Sequence, residues 1–381
     1  MPKRKLVIIN QAANYLTVGF ANAFSLKADE VVLITGSLHV QGEELNDEVK
    51  VHWINKWYES PARKKALSYL KAMLLMWWLL MTKYRKHEVL FVSVPPMAYL
   101  LNIILPHRFS MVIWDVYPDI FKITGMAENH WLYKLWARLN KFSFKKAYKI
   151  FTISEKMAEL IYQYANKEKV IIQPIWSIFQ SNEKKSKEEN PFITNYGLKD
   201  KFVIQYSGNI GLTHNVEALI DLAALLKNEE DILIQIIGRG PRKQTLQSLV
   251  KKENLPNCQF LPFQSDEMFP YSLSAADMGA VILDETTSKG SVPSKSYNLM
   301  SYGIPSLYLA AEDSQLQVYA QKYEHAICFT KAQLPVAANA IIKLKNDQQA
   351  YQQMAANAEK ASGHFKRSNA DLFVSKYFQT S

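Results

Sequence analysis

The chain has 381 residues, enough for two domains that each bury a core, and its 48% apolar and 12% aromatic content excludes an intrinsically disordered protein. Its net charge of +10 belongs to one half: residues 1–180 hold 24 Lys and Arg against 14 Asp and Glu, whereas residues 181–381 hold 21 of each. Two cysteines, Cys258 and Cys328, exclude a disulfide framework and fit a reducing cytoplasm.

Met1 to Lys5 precede a short apolar run, Leu6 to Ile9, which suits a first strand and is too short for a signal-peptide core. Further strands are expected at Val31 to Thr35, Val89 to Val94, Ser110 to Trp114, Lys149 to Ile153 and Val170 to Gln173, with helices between them. This alternation predicts a parallel sheet covered on both faces.

Two of the intervening helices are basic and amphipathic. Residues 67–82 are flanked by Arg63, Lys64 and Lys65 on one side and by Lys83, Arg85 and Lys86 on the other. The uncharged run from Ala72 to Thr82 rises only about 16 Å as a helix, roughly half of a ~30 Å hydrocarbon core, so it lies in an interface instead of spanning one. In residues 130–149, Lys134, Arg138, Lys141, Lys145 and Lys149 follow one helical face, and Leu132, Leu135, Trp136, Leu139 and Phe142 another. Met and Trp at helical spacing also fill cores. With both segments in the basic half, the pattern favours an anionic membrane surface. Nucleic acid is disfavoured as the partner, because no zinc-finger spacing, RNP-like aromatic motif or compact recognition helix appears.

Residues 181–200, rich in Lys and Glu, read as a solvated linker, after which the alternation restarts. Strands are expected at Phe202 to Tyr206, Ile232 to Ile237, Cys258 to Leu261, Met278 to Leu283, Ser306 to Leu309 and Ala326 to Phe329. Helices are expected from near Asn215, Pro241, Met268, Pro293, Ser314 and Lys331. The division is then a basic α/β domain over residues 1–180 and a second α/β domain over residues 181–364, with residues 365–381 forming a helix that returns to the first. In such doubly wound sheets, ligands bind beyond the carboxyl ends of the strands.

Those ends carry phosphate-binding chemistry. Ser207-Gly208-Asn209-Ile210-Gly211 follows the first strand of the second half, with Thr213 and His214 ahead of a helix, and Gly238-Arg239-Gly240-Pro241-Arg242-Lys243 follows the next strand. Ser291 to Pro305 brackets a short helix between Pro293 and Gly303, with Ser294, Lys295 and Ser296 at its start. Unpaired backbone N–H groups there, together with the Lys295 ammonium, suit a diphosphate, although Pro-Ser-Lys is also ordinary capping chemistry.

These segments, with Leu261-Pro262-Phe263, Ala275-Ala276-Asp277 and Met300-Ser301-Tyr302-Gly303-Ile304-Pro305, resemble the donor domain of GT-B glycosyltransferases of family 4, in the branch that builds bacterial capsule and O-antigen units. Ser93-Val94-Pro95-Pro96 and Trp114-Asp115-Val116-Tyr117-Pro118-Asp119 resemble the acceptor-domain motifs of that branch. The resemblance implies two Rossmann-like domains facing across a cleft and transfer of a sugar from a UDP- or GDP-sugar to a lipid-linked glycan, with retention and without a metal or other cofactor. It places Gly208, Asn209, Gly211, Arg239, Phe263, Ser294, Lys295 and Asn298 on the donor, Asp115 as the catalytic group and Asp119 beside it on the acceptor side. Asp115 also suits a simple turn with Tyr117, Pro118 and Asp119. Membrane seating would be peripheral, on the cytoplasmic face.

The chain departs from the wider family at Gly290 and Asn298, where a pair of glutamates is usual, and at Asn209 and His214, where Arg and Lys are usual. Trp114 stands where a histidine is frequent, and Asn10 to Asn14 lack a Gly-Gly. Two other readings therefore stay open: a nucleotide-sugar epimerase on the same fold, and a non-catalytic partner of a true transferase.

Overall fold

The computed structural model describes residues 4–58, 62–180, 184–211, 215–286 and 288–379. It divides into one unit of Met1–Ile178 with Lys366–Ser381 and a second of Phe179–Phe365.

The first unit holds a seven-stranded parallel sheet in the order β3-β2-β1-β4-β5-β6-β7. Its strands are β1 (Lys5–Ile9), β2 (Glu30–Thr35), β3 (Val49–Trp53), β4 (Glu88–Val92), β5 (Phe109–Ile113), β6 (Ile150–Thr152) and β7 (Val170–Ile172). Its helices are α1 (Tyr15–Ser25), α2 (Ala62–Met81), α3 (Trp131–Lys146) and α4 (Glu155–Ile161). The chain winds left through α1 and right through α2, α3 and α4, so right-handed crossovers put α1 on one face of the sheet and the other three on the opposite face.

The second unit holds six parallel strands in the order β10-β9-β8-β11-β12-β13. They are β8 (Phe202–Asn209), β9 (Ile232–Arg239), β10 (Cys258–Leu261), β11 (Met278–Ile282), β12 (Ser306–Leu309) and β13 (Ala326–Phe329). The helices are α5 (Pro191–Tyr196), α6 (Glu217–Leu225), α7 (Lys243–Lys252), α8 (Phe269–Ser274), α9 (Lys295–Ser301), α10 (Gln315–Tyr323), α11 (Leu334–Asn346) and α12 (Gln348–Ser362). The α/β reading holds in both units. Beneath the β8–β9–β10 surface, Gln205 donates to Gln235 at 3.0 Å and Gln235 to Gln259 at 3.3 Å, three amides in register that satisfy one another inside the sheet.

Residues 190–198, within the expected linker, hold a packed helix. Asn190 caps α5, whose Phe192 and Ile193 are buried in a cluster with Leu198, Val203 and Ile237. The charged run hides this helix because only its second and third residues carry the apolar contact.

The last helix, α13 (Asn369–Phe378), packs on the α1 side of the first sheet. Phe373 lies 4.5 Å from Phe20 and 4.0 Å from Phe151, ring to ring, and Tyr377 lies 5.0 Å from Phe24. Arg367 pairs with Glu43 and stands over Trp176. Phe373→Ala is expected to cost about 3–5 kcal/mol, read as a lowered midpoint in urea with little change in slope.

On the opposite face, α2 buries Ala72, Met76, Leu79 and Leu80 and exposes Leu67, Leu70, Leu74, Trp77, Trp78 and Met81. Leu74 is 68% and Trp78 56% exposed, a continuous apolar stripe that the fold leaves uncovered. On α3, Trp131, Leu132, Leu135 and Phe142 are exposed as well. No helix among the described residues is long and apolar enough to cross a membrane.

Candidate active site

Strands β8 and β9 run side by side to Gly208↔Gly238 and Asn209↔Arg239, so both glycine turns of the second unit open from one edge of the sheet. Ile210 N–H then donates to the Arg239 carbonyl at 2.9 Å. A Cβ on Gly238 would run into the Gly208 carbonyl, and one on Gly208 would stand 2.9 Å from Lys295 Nζ. Glycine is required at both positions because two strand ends and an ammonium share that space.

Lys295 is the first residue of α9, and its ammonium lies 4.0 Å over the Tyr206 ring. The Nζ is buried without a hydrogen-bond partner. Desolvation pulls its pKa down from the ordinary lysine value to about 7. Tyr206 itself is fixed, its hydroxyl donating to the Asn209 carbonyl at 2.7 Å. The α9 backbone differs from the expected open anion site. The N–H groups of Ser296, Tyr297 and Asn298 already donate to the Pro293 and Ser294 carbonyls, and the Ser296 hydroxyl donates to Pro293. A tight first turn consumes these donors, leaving the ammonium as the dominant positive charge. Ser294 is exposed and makes no capping bond, while Asn298 lines one small cavity with Lys295, Gln205 and Ser207.

The basic residues after β9 separate by role. Arg239 is exposed, its guanidinium 5.2 Å from the centre of the Phe263 ring. Arg242 is paired with Glu217, and Lys243 donates to the Gly238 and Leu261 carbonyls at 3.0 and 2.9 Å, tying β9 to β10. Asn209 is exposed, with its amide beside Gly211. Thr213 and His214 lie outside the described residues. Asp277 is structural: it accepts from the Val203 N–H at 2.9 Å and pairs with Lys187 at 2.6 Å.

In the first unit, Asp115 stands two residues beyond β5. No described residue donates a hydrogen bond to it, and desolvation pushes its carboxyl up to about 6. Trp114, which precedes it, donates its N–H to Ser93 Oγ at 3.0 Å. Asp119 is occupied differently from the acceptor-side expectation. Tyr133 donates to one oxygen at 2.8 Å, Tyr164 to the other at 3.1 Å, and Lys122 pairs with it at 3.0 Å. With both oxygens turned inward, Asp119 anchors the segment that carries Asp115. Sequence reasoning missed Tyr206, the ring beneath the lysine, although an aromatic two residues before the Gly208 turn was the available signal.

Residues 186–361, nearly all of the second unit, match the family described as glycosyl transferases group 1. WcaI of Escherichia coli (strain K12), whose name assigns it to glycosyl transfer in colanic acid biosynthesis, is 31% identical over 138 residues, 36% of this chain and 34% of that one. WbjE of Pseudomonas aeruginosa, named as a glycosyltransferase, is 24% identical over 222 residues, 57% of this chain and 54% of that one. The chain thus spans about a third and about half of the length of these two relatives. Among solved structures, Anabaena HepE in complex with UDP and glucose superposes with a TM-score of 0.73 at 14% identity, covering 99% of this chain and 100% of that one. Sucrose-phosphate synthase from Thermosynechococcus elongatus gives 0.76 at 12% identity, covering 99% and 98%. At these identities the superpositions show the fold. The chain has the GT-B fold of these structures, and its residues 186–361 match the group 1 glycosyl transferases.

Proposed function

We propose that this protein transfers a sugar from a UDP- or GDP-sugar to a hydroxyl of a lipid-linked glycan in bacterial surface polysaccharide synthesis, with retention and without a metal ion. The observation that carries the reading is the buried, unpartnered Lys295 ammonium at the strand edge where Gly208 and Gly238 leave room for a ligand. A diphosphate there supplies the counter-charge that Lys295 lacks, and charge growing on the leaving phosphate is stabilised by Lys295 and by Arg239. Phe263, whose face Arg239 covers, offers a ring for the base. The acceptor hydroxyl attacks the anomeric carbon on the face the phosphate leaves, and its proton passes to that phosphate, so the hydroxyl need only be oriented. Asp115 is the residue we assign to that task. The colanic acid relative's name and the HepE complex support the pathway class and the nucleotide-sugar donor respectively.

The acceptor's lipid is accounted for by the outer faces of α2 and α3, which stand on the same side of the sheet. Their exposed apolar residues are bordered by exposed Arg63, Lys64, Lys65, Lys83, Arg85 and Lys86, and by Lys134, Arg138, Lys141 and Lys145. Apolar insertion with a cationic border matches an anionic bilayer, on the cytoplasmic side where nucleotide-sugars are made. The test is transfer of radiolabelled sugar from UDP- and GDP-sugars onto a polyprenyl-diphosphate-linked glycan in phosphatidylglycerol vesicles. Turnover is expected with one nucleotide class. Trp77→Glu with Trp78→Glu is expected to reduce vesicle transfer at least tenfold while leaving nucleotide binding unchanged. No transfer with any donor sinks the sugar-transfer reading, and transfer indifferent to the tryptophans sinks the membrane assignment.

A further inference from the structure

We propose that the cleft at the amino-terminal edge of the first sheet, walled by Arg108, Lys146, Lys169 and Lys376, is a binding site for a phosphate-bearing anion. The cleft has a volume of about 800 Å³ and lies where β5, β6 and β7 begin, whereas Asp115 follows the end of β5. The assignment does not rest on the sugar-transfer reading.

Five cations line this cleft against a single carboxylate, Glu168. Their hydrogen bonds show which are committed to the fold. Lys149 is buried and directs its three N–H groups at the carbonyls of Lys376, Tyr377 and Gln379, at 2.6, 3.3 and 2.6 Å, so it is a strut for the end of α13. The others retain donors. Lys146 makes two such bonds, to Ile103 and Leu105, Lys169 two, to Lys145 and Ala147, and Lys376 one, to Ile172. An ammonium has three donors, so one, one and two remain. Arg108 meets Glu88 through one nitrogen at 3.2 Å and lies 3.6 Å over the Tyr148 ring, which presents the rest of its planar fork at the rim.

Carbonyls satisfy these donors without cancelling their charge. Burial holds both Lys149 and Lys376 below the usual lysine range, and Arg108 adds repulsion at Lys149. An entering anion relieves that crowding. A guanidinium fork and several ammonium groups arriving from separate elements suit an anion with many oxygens and more than one charge, which describes a phosphate or diphosphate better than a carboxylate. The carboxyl-terminal end of α3 leads into the cleft, with Lys141 exposed one turn before Lys145, so both a free anion and a phospholipid head group have a route to it.

The experiment compares the intact chain with Arg108→Gln/Lys376→Gln, and separately with Lys169→Gln, using inorganic pyrophosphate by calorimetry and vesicles with or without phosphatidylglycerol by sedimentation. Lys295→Met is the background for the pyrophosphate arm, which removes the donor-site contribution. At least a tenfold loss of pyrophosphate binding in the double variant identifies a free anion as the occupant. A tenfold loss of sedimentation with phosphatidylglycerol vesicles, without pyrophosphate binding, identifies the lipid. Unchanged affinity in both arms, in variants whose melting temperature matches the parent, overturns the proposal. Binding of UDP and GDP measured in parallel reports the donor site independently.

Discussion

Lys295→Met is expected to weaken binding of the cognate nucleoside diphosphate at least a hundredfold and, at the same time, to raise the stability of the ligand-free protein. Both effects follow from one ammonium held away from water with only the Tyr206 ring beneath it. Carrying a charge in that position costs the free protein ~2–4 kcal/mol at neutral pH, which a diphosphate offsets and a methionine avoids. The sign with pH is fixed by linkage. The folded-state pKa near 7 lies below the unfolded value of 10.5, so between these limits the unfolded chain binds the extra proton. Stability of the ligand-free protein therefore rises from pH 7 toward 10, nucleotide affinity falls over the same interval, and both slopes flatten in the variant. Thermal melts with and without nucleotide across that range read all of these. A destabilised variant with unaltered affinity would remove Lys295 from the donor site.

Asp115→Asn is expected to lower kcat by about 10²-fold, the loss that follows a misplaced acceptor, with little change in donor affinity. Its carboxyl, pushed up to about 6, is ionised at neutral pH at a cost. Here the folded-state pKa exceeds the unfolded one, so stability falls as pH rises from about 4 to 6 while activity grows with ionisation. The acid limb of the kcat/KM profile should centre near pH 6 and vanish in the variant, and the variant should be more stable above pH 6 by ~1–3 kcal/mol. An unchanged acid limb would assign it to another group. Lys295 and Asp115 are thus two charges whose usefulness to a substrate is a liability to the empty fold.

Twelve of the thirteen strands among the described residues were legible as apolar runs because parallel strands buried on both faces need little else. The missed strand, β3, reads Val-Lys-Val-His-Trp and pairs with β2 alone, so its polar residues sit on an edge where no second face demands apolar ones. The sheet edge that carries Gly208, Gly238 and Lys295 was legible as glycines and cations. Which cation was available was not: Arg239, Arg242 and Lys243 look alike in sequence, and only the placement of Glu217 and of the Gly238 and Leu261 carbonyls commits the last two. The hydrogen bonds of Asp119 were hidden for the same reason, since Tyr133 and Tyr164 reach it from 14 and 45 residues away.

The first unit is made of two separated stretches of chain, since α13 packs on α1 after the whole second unit. During synthesis the bed for Phe373, formed by Phe20 and Phe151, stands open while the whole intervening unit is made. At ordinary elongation rates of ~5–20 residues per second that wait is roughly 10–40 s. The second unit is contiguous and can fold as it emerges, whereas the first reaches its native state only once α13 has been made. Nonsense or frameshift lesions in the codons for Asn369–Phe378 therefore strike the amino-terminal unit, and nascent chains of this protein should lean on holding chaperones through their amino-terminal aromatic residues.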